Sequence, residues 1–205
     1  MPARLLRLGF GVLTLTAIAV NLANAFDEVP GFVVLNFFSY FTNLSNILAA
    51  VVLIVGAVAD PRSARWEAIR GLATFAMVVT GIVYLVLLTG EPLGVTDPWI
   101  NTVIHRVMPV VMLADWLLLP PRHRIERATA LLWLLYPLGY AAYTLVRGPL
   151  AGDFYPYPFI DPTRDGGYAQ VALNCVVLAL AMAAIALLAG WAGNARRGRG
   201  VASAA

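Results

Sequence analysis

Charge is scarce in this sequence. Only 12% of its 205 residues are charged against 60% hydrophobic, and the mean hydropathy is +0.79, whereas soluble domains carry about 25% charged residues. A water-facing globular surface is thereby excluded. Cysteine is nearly absent: Cys175 stands alone, which excludes an intrachain disulfide and a thiolate metal cluster. Histidine is limited to His105 and His123, and His123 lies in the basic run Pro120-Pro121-Arg122-His123-Arg124, so a bis-His haem is disfavoured too. Zinc-ligand spacing, a G-x-S-x-G elbow and a phosphate loop are all missing. No metal or cofactor is expected. The chain also lacks internal repeats and any linker long enough to divide it into separate domains.

What the chain has is six apolar runs: Leu5 to Asn24, Asn36 to Val58, Glu67 to Thr89, Trp99 to Leu119, Ala128 to Val146 and Tyr168 to Trp191. Each is near the ~20 residues that cross a ~30 Å hydrocarbon core, and none alternates as barrel strands do. The expected fold class is all-α, a polytopic membrane protein. Residues 1–195 form a single six-transmembrane-helix bundle, and 196–205 a basic disordered tail.

The arginines orient this bundle and give no reason to expect nucleic acid. If six spans alternate, Arg4, Arg7, Arg62, Arg65, Arg70, Arg122, Arg124, Arg127, Arg196, Arg197 and Arg199 share one side, against Arg147 and Arg164 on the other. The positive-inside rule then places both termini in the cytoplasm. The opposite side carries Asp27, Glu28, Glu91, Asp97, Asp153, Asp161 and Asp165. Arg4, Arg7 and Ala23-Asn24-Ala25 also resemble a secretory signal, whose removal would leave five spans in the same orientation. An uncleaved first helix is the preferred reading.

Polar side chains are costly in hydrocarbon, so their depth is informative. Ser39, Thr42, Ser45 and Asn46 follow i, i+3, i+6 and i+7, one helical face with Asn43 beside it. The fourth run opens with Asp97-Pro98 as cap and first turn, and sets Asn101 and His105 one turn apart. Asn21, Asn24, Tyr84, Tyr140, Tyr143, Gln170 and Asn174 fall at the same depth. Together they predict a polar pocket opening on the extracytoplasmic side. The inner half reads as nearly featureless, with Asp115 its main exception. Interhelical hydrogen bonding is the commoner use of Ser, Thr, Asn and Gln in spans, but a His beside Arg106 in mid-span is rarer and more often functional. Pro109 has no N–H for the His105 carbonyl, so a bend is expected there.

A hydroxyl and an imidazole at matched depth are the minimum for nucleophilic acyl transfer, with Thr42 attacking and His105 as general base. Asn46, Asn101 and Asn174 are candidate donors to an oxyanion. No carboxylate stands ready to orient His105, since Asp115 is roughly 15 Å further along the helix axis. The alternatives are a proton or small-solute transporter using Asp115 and His105, and a non-catalytic lipid-binding scaffold. The segment Tyr155-Pro156-Tyr157-Pro158-Phe159-Ile160-Asp161 reads as a stiff aromatic lid or an interfacial anchor.

The run Phe37 to Asn46, the run Asn101 to Pro109, Asp115-Trp116 and the Tyr155 to Asp161 loop together resemble a bacterial branch of the androgen-induced-gene family, which includes the androgen-dependent TFPI-regulating protein. The resemblance covers nearly all six runs. It implies a six-span membrane hydrolase of fatty acid esters of hydroxy fatty acids or related acyl esters, in the bacterial plasma membrane. By motif it puts the reactive Thr at Thr42 and the His at His105. Ser39, Ser45, Asn46, Asn101, Arg106, Tyr140 and Asn174 are the candidate substrate-binding set, and a membrane lipid or fatty acyl ester the partner. A substrate carboxylate would meet Arg106 or Arg147. The chain departs from the animal proteins in the Ser-Asn after the Thr and in having Thr102 where they carry a further His, departures that leave room for another lipid ester or for acyl transfer in place of hydrolysis.

Overall fold

The computed structural model describes residues 1–90 and 97–202, with side chains as far as 197. Glu91, the Arg199 side chain and residues 203–205 lie outside that description. Among the described residues the chain is helical without strands. Helices α1 (Pro2–Glu28), α2 (Val34–Phe38), α3 (Phe41–Val58) and α4 (Ala64–Val83) come first, and α4 continues as a π turn at Tyr84–Leu88. Then follow α5 (Pro98–Thr102), a second π turn (Val103–Val107), α6 (Met108–Leu118), α7 (Arg127–Leu132), α8 (Leu135–Leu150), a 3-10 turn (Pro158–Ile160) and α9 (Gly167–Ala202). Helix α9 thus runs into the stretch read above as a basic tail.

Five of the helical stretches are long and apolar enough to cross a membrane: Pro2–Glu28, Phe41–Val58, Ala64–Leu88, Arg127–Leu150 and Gly167–Arg197. The run from Pro98 to Leu118 is helical too but divided by its π turn. Large apolar side chains face outward as well as inward, among them Leu173, Val176, Leu180 and Leu188 on α9. A chain apolar on both faces is suited to lipid, since water would penalise the outer one.

The second apolar run is not one continuous helix. Helix α2 ends at Phe38, Tyr40 is extended (φ −78°, ψ 126°), and α3 starts at Phe41. The Ser39 hydroxyl donates back to the Leu35 carbonyl at 2.6 Å, a local bond that competes with helix continuation. Thr42 therefore sits in the first turn of a helix and not in the middle of one. At Pro109 the missing N–H is accommodated by the π turn, in which the Met108 N–H donates to the Val103 carbonyl. Helix α4 passes close by at Gly81, where a Cβ would come within 2.8 Å of the Pro109 Cβ and 3.8 Å of the His105 carbonyl oxygen.

The far end of the bundle corrects the expectation of a featureless inner half. Arg7 clasps Asp115 with two hydrogen bonds, at 2.6 and 3.0 Å. Arg70 donates to Asp115 at 3.1 Å, to Glu67 at 2.8 Å and to the Leu119 carbonyl at 2.8 Å. Glu67 and Arg70 are buried, so each charge needs the others, because an ion without its partner would have to be desolvated uncompensated. Asp60, at a left-handed φ of 43°, gathers Arg4, Arg62 and Arg122 nearby. Arg197 donates to the Arg122 carbonyl. The start of α1, the 59–63 and 119–126 loops and the end of α9 thus share one end of the bundle.

Candidate functional site

The opposite end holds Thr42 and His105. Thr42 Oγ1 lies 3.4 Å from His105 Nε2, and both residues are buried. That separation exceeds the ~2.8 Å of a settled hydroxyl hydrogen bond. On the other side of the ring, His105 Nδ1 is 2.6 Å from Asn101 Oδ1. An amide oxygen can only accept, so Nδ1 carries the proton and Nε2 presents a lone pair toward the Thr42 hydroxyl. The Asn101 amide is fixed in turn, its Nδ2 donating to the Tyr84 hydroxyl at 2.9 Å.

The two π turns bring this about. One carries Tyr84 and the other His105, and the two rings stack. The imidazole is thus held at both nitrogens and on one face. Arg106, next in sequence, is exposed, with its guanidinium 5.9 Å from the Tyr84 ring centre.

Thr42 has a second partner. In the first turn of a helix a backbone N–H has no intrahelical acceptor, and the Thr42 N–H donates to the Tyr157 hydroxyl at 3.1 Å. That hydroxyl lies 3.2 Å from Thr42 Oγ1. Either hydroxyl can donate in that contact, and with the Thr42 proton directed at His105 Nε2 it is Tyr157 that donates to Oγ1. Tyr157 is held by parallel stacking on Phe159, centroids 5.3 Å apart, and by the edge of Tyr40. Burial pushes its phenol up to about 12, so it remains a neutral donor.

The remaining residues singled out in the sequence fall into two groups. Asn46 supports the backbone, donating to the Thr42 carbonyl at 2.9 Å and the Ile104 carbonyl at 3.0 Å, and so ties α3 to the turn that bears His105. Ser39 meets the Tyr143 hydroxyl, Ser45 the Tyr136 hydroxyl, and the Tyr140 hydroxyl donates to the Ser39 carbonyl. Asn174 lies further off, donating to the Phe159 carbonyl and accepting from Gln170. Arg147 donates to Asn36 at 2.6 Å and covers Phe154. The Nδ2 groups of Asn46, Asn101 and Asn174 are thus engaged by protein acceptors, Asn46 Oδ1 has no partner among the described residues, and the hydrogen-bonding neighbours of Thr42 Oγ1 are His105 and Tyr157.

Two cavities meet at Thr42. One, of about 100 Å³, is apolar and lies between α3, α4, α8 and α9. The other, of about 210 Å³, lies beside α1, α2 and the π turn of His105 and is lined in part by Asn21, Asn36 and Asn43. Thr42 and Tyr157 line both.

Sequence reasoning singled out Thr42 and His105 by depth but gave Asn101 a different role and left Tyr157 unassigned within its loop. The i, i+4 spacing of Asn101 and His105 was the available signal for the first. Nothing local signals the second, because the contact spans 115 residues of chain. No family model, curated protein or solved structure matches the chain.

Proposed function

We propose that this chain is an intramembrane lipid-ester hydrolase with Thr42 as nucleophile and His105 as general base. The supporting observation is the directed array Thr42 Oγ1, His105 Nε2, His105 Nδ1, Asn101 Oδ1 at the junction of two cavities. In it the hydroxyl proton has a base to go to, and the imidazolium that forms is stabilised by an amide oxygen, much as a buried acceptor holds the imidazole of a hydrolytic triad. Asn101 acts through His105 and is a positioning residue. Tyr157 touches the attacking oxygen, and its hydroxyl stands beside the carbon under attack as a donor to the ester carbonyl oxygen, on which the negative charge develops. The position of Thr42 at a helix start favours the same charge.

The membrane reading rests on the apolar helices. The run from Pro98 to Leu118 is the sixth span, the arginine-rich end faces the cytoplasm, and the site opens on the extracytoplasmic side of the plasma membrane. The resemblance to the androgen-induced-gene family supports a fatty acyl ester as substrate.

Purified protein in detergent, given a panel of fatty acyl esters with products identified by mass, tests this directly. Release of free fatty acid, lost by about 10⁴-fold in both Thr42→Ala and His105→Ala while the variants remain folded, is the expected result. Undiminished turnover in either variant rejects the proposal, and a solute flux through proteoliposomes that depends on Asp115 would speak for transport.

A further inference from the structure

The two cavities are unequal in a way that bears on which half of an ester each receives. His105 lines the larger chamber and not the apolar cavity, whereas Thr42 and Tyr157 border both. The apolar cavity is walled by groups such as Val83, Leu138, Ala179 and Met182. The buried Asn21 contributes its amide to the chamber wall, and its Oδ1 is closed off and without a hydrogen-bond partner among the described residues. The end of the amide left to face the chamber is therefore its NH2 group, a hydrogen-bond donor.

The chemistry breaks the symmetry. Thr42 Oγ bonds to the ester carbonyl carbon as its proton passes to His105 Nε2. The carbon–oxygen bond to the alcohol then breaks, and the departing oxygen takes that proton from His105. The alcohol half must therefore lie on the His105 side. A water molecule next gives a proton to His105 and attacks the acyl–Thr42 ester, and Thr42 regains its proton as the fatty acid leaves.

Resting on the hydrolase reading above, we infer that the apolar cavity receives the acyl chain and the Asn21 chamber the alcohol, and that the alcohol of the preferred ester keeps a free hydroxyl, as in a partial glyceride of a straight-chain fatty acid. The oxygen of that free hydroxyl accepts from Asn21 Nδ2. Tyr157 stands between the two halves at the reacting carbon, so the substrate bends around it.

Four matched esters test the assignment: the glycerol and methyl esters of hexadecanoic and octanoic acids, with kcat/KM measured on the full chain in detergent. Ala179→Phe is expected to lower the hexadecanoyl-to-octanoyl ratio by about tenfold with either alcohol. Asn21→Leu is expected to lower the glycerol-to-methyl ratio by about three- to tenfold at either chain length. Ala179→Leu and Asn21→Ala serve if the larger changes do not fold, as judged by monodisperse elution and melting. Exchanged effects, with Ala179 governing the alcohol or Asn21 the chain length, overturn the assignment, and so do unmoved ratios. Thr42→Ala and His105→Ala run alongside: activity surviving in them defeats the hydrolase reading itself, while their silence together with unmoved ratios defeats only the division of the substrate.

Discussion

The imidazole of His105 lies against the phenol ring of Tyr84, with ring centres 4.2 Å apart and planes inclined by 19°. The same Tyr84 hydroxyl accepts from the amide of Asn101, which accepts from His105 Nδ1. Ring plane and tautomer are thus set by one residue and its hydrogen-bonded neighbour.

Asn101→Ala removes the acceptor that holds the Nδ1 proton. The expected loss in kcat is about 10²- to 10⁴-fold with KM little changed. Asn101→Asp, which keeps an acceptor, should restore part of it. Equal loss in both variants would show that the amide is needed for packing and not for the tautomer.

Tyr157→Phe keeps the stacking on Phe159 and removes only the hydroxyl. Steady-state kinetics should give a kcat lower by about 10²-fold at nearly the same KM. A rate within twofold of the parent would discard Tyr157 as a donor to the oxyanion formed on the ester.

Burial raises the Tyr157 phenol to about 12, above the ~10 of an unfolded tyrosine. The folded chain therefore holds this proton more tightly than the unfolded one. Its contribution to stability is complete below pH ~10 and lost as pH rises through about 12. Between pH ~9 and ~11.5 the melting temperature in detergent should fall further for the parent than for Tyr157→Phe, and parallel falls would contradict this.

Asp115→Ala leaves Arg7 and Arg70 inside the bundle without their shared carboxylate. The expected cost is about 3–5 kcal/mol, measured as a lower denaturation midpoint. Because the cluster is at the other end of the bundle, ester turnover per folded molecule should persist; its loss would tie the cluster to the reaction.

Gly81→Ala forces a Cβ against Pro109 and so displaces the turn bearing His105. A shift of that order misaligns base and nucleophile, with an expected drop in kcat of about 10- to 10²-fold that exceeds the change in thermal stability. A fall in stability alone would place Gly81 in packing only.

The helices were legible because apolar runs of bilayer length have few other uses. Thr42 and His105 were legible because polar atoms at depth stand out against such a background. What the sequence concealed is where helices break. Nothing around Ser39 and Tyr40 resembles a Gly or Pro punctuation, and the Ser39 hydroxyl bond to the Leu35 carbonyl has counterparts inside the unbroken α1 and α4, so it does not mark a break in the sequence either. Arg7, Glu67 and Arg70 read as residues of the basic loops or span edges, because a neutral cluster is visible only once α1, α4 and α6 are side by side. Tyr157 was hidden for the same reason of distance.

The backbone amide of Thr42 is satisfied by a phenol from a loop late in the chain. A polypeptide emerging from the ribosome delivers Thr42 early, His105 midway and this tyrosine only when most of the sequence has passed. On the proposed hydrolase reading, the threonine of an incomplete nascent chain lacks this hydroxyl beside it, and its full reactivity waits for the loop that carries Tyr157.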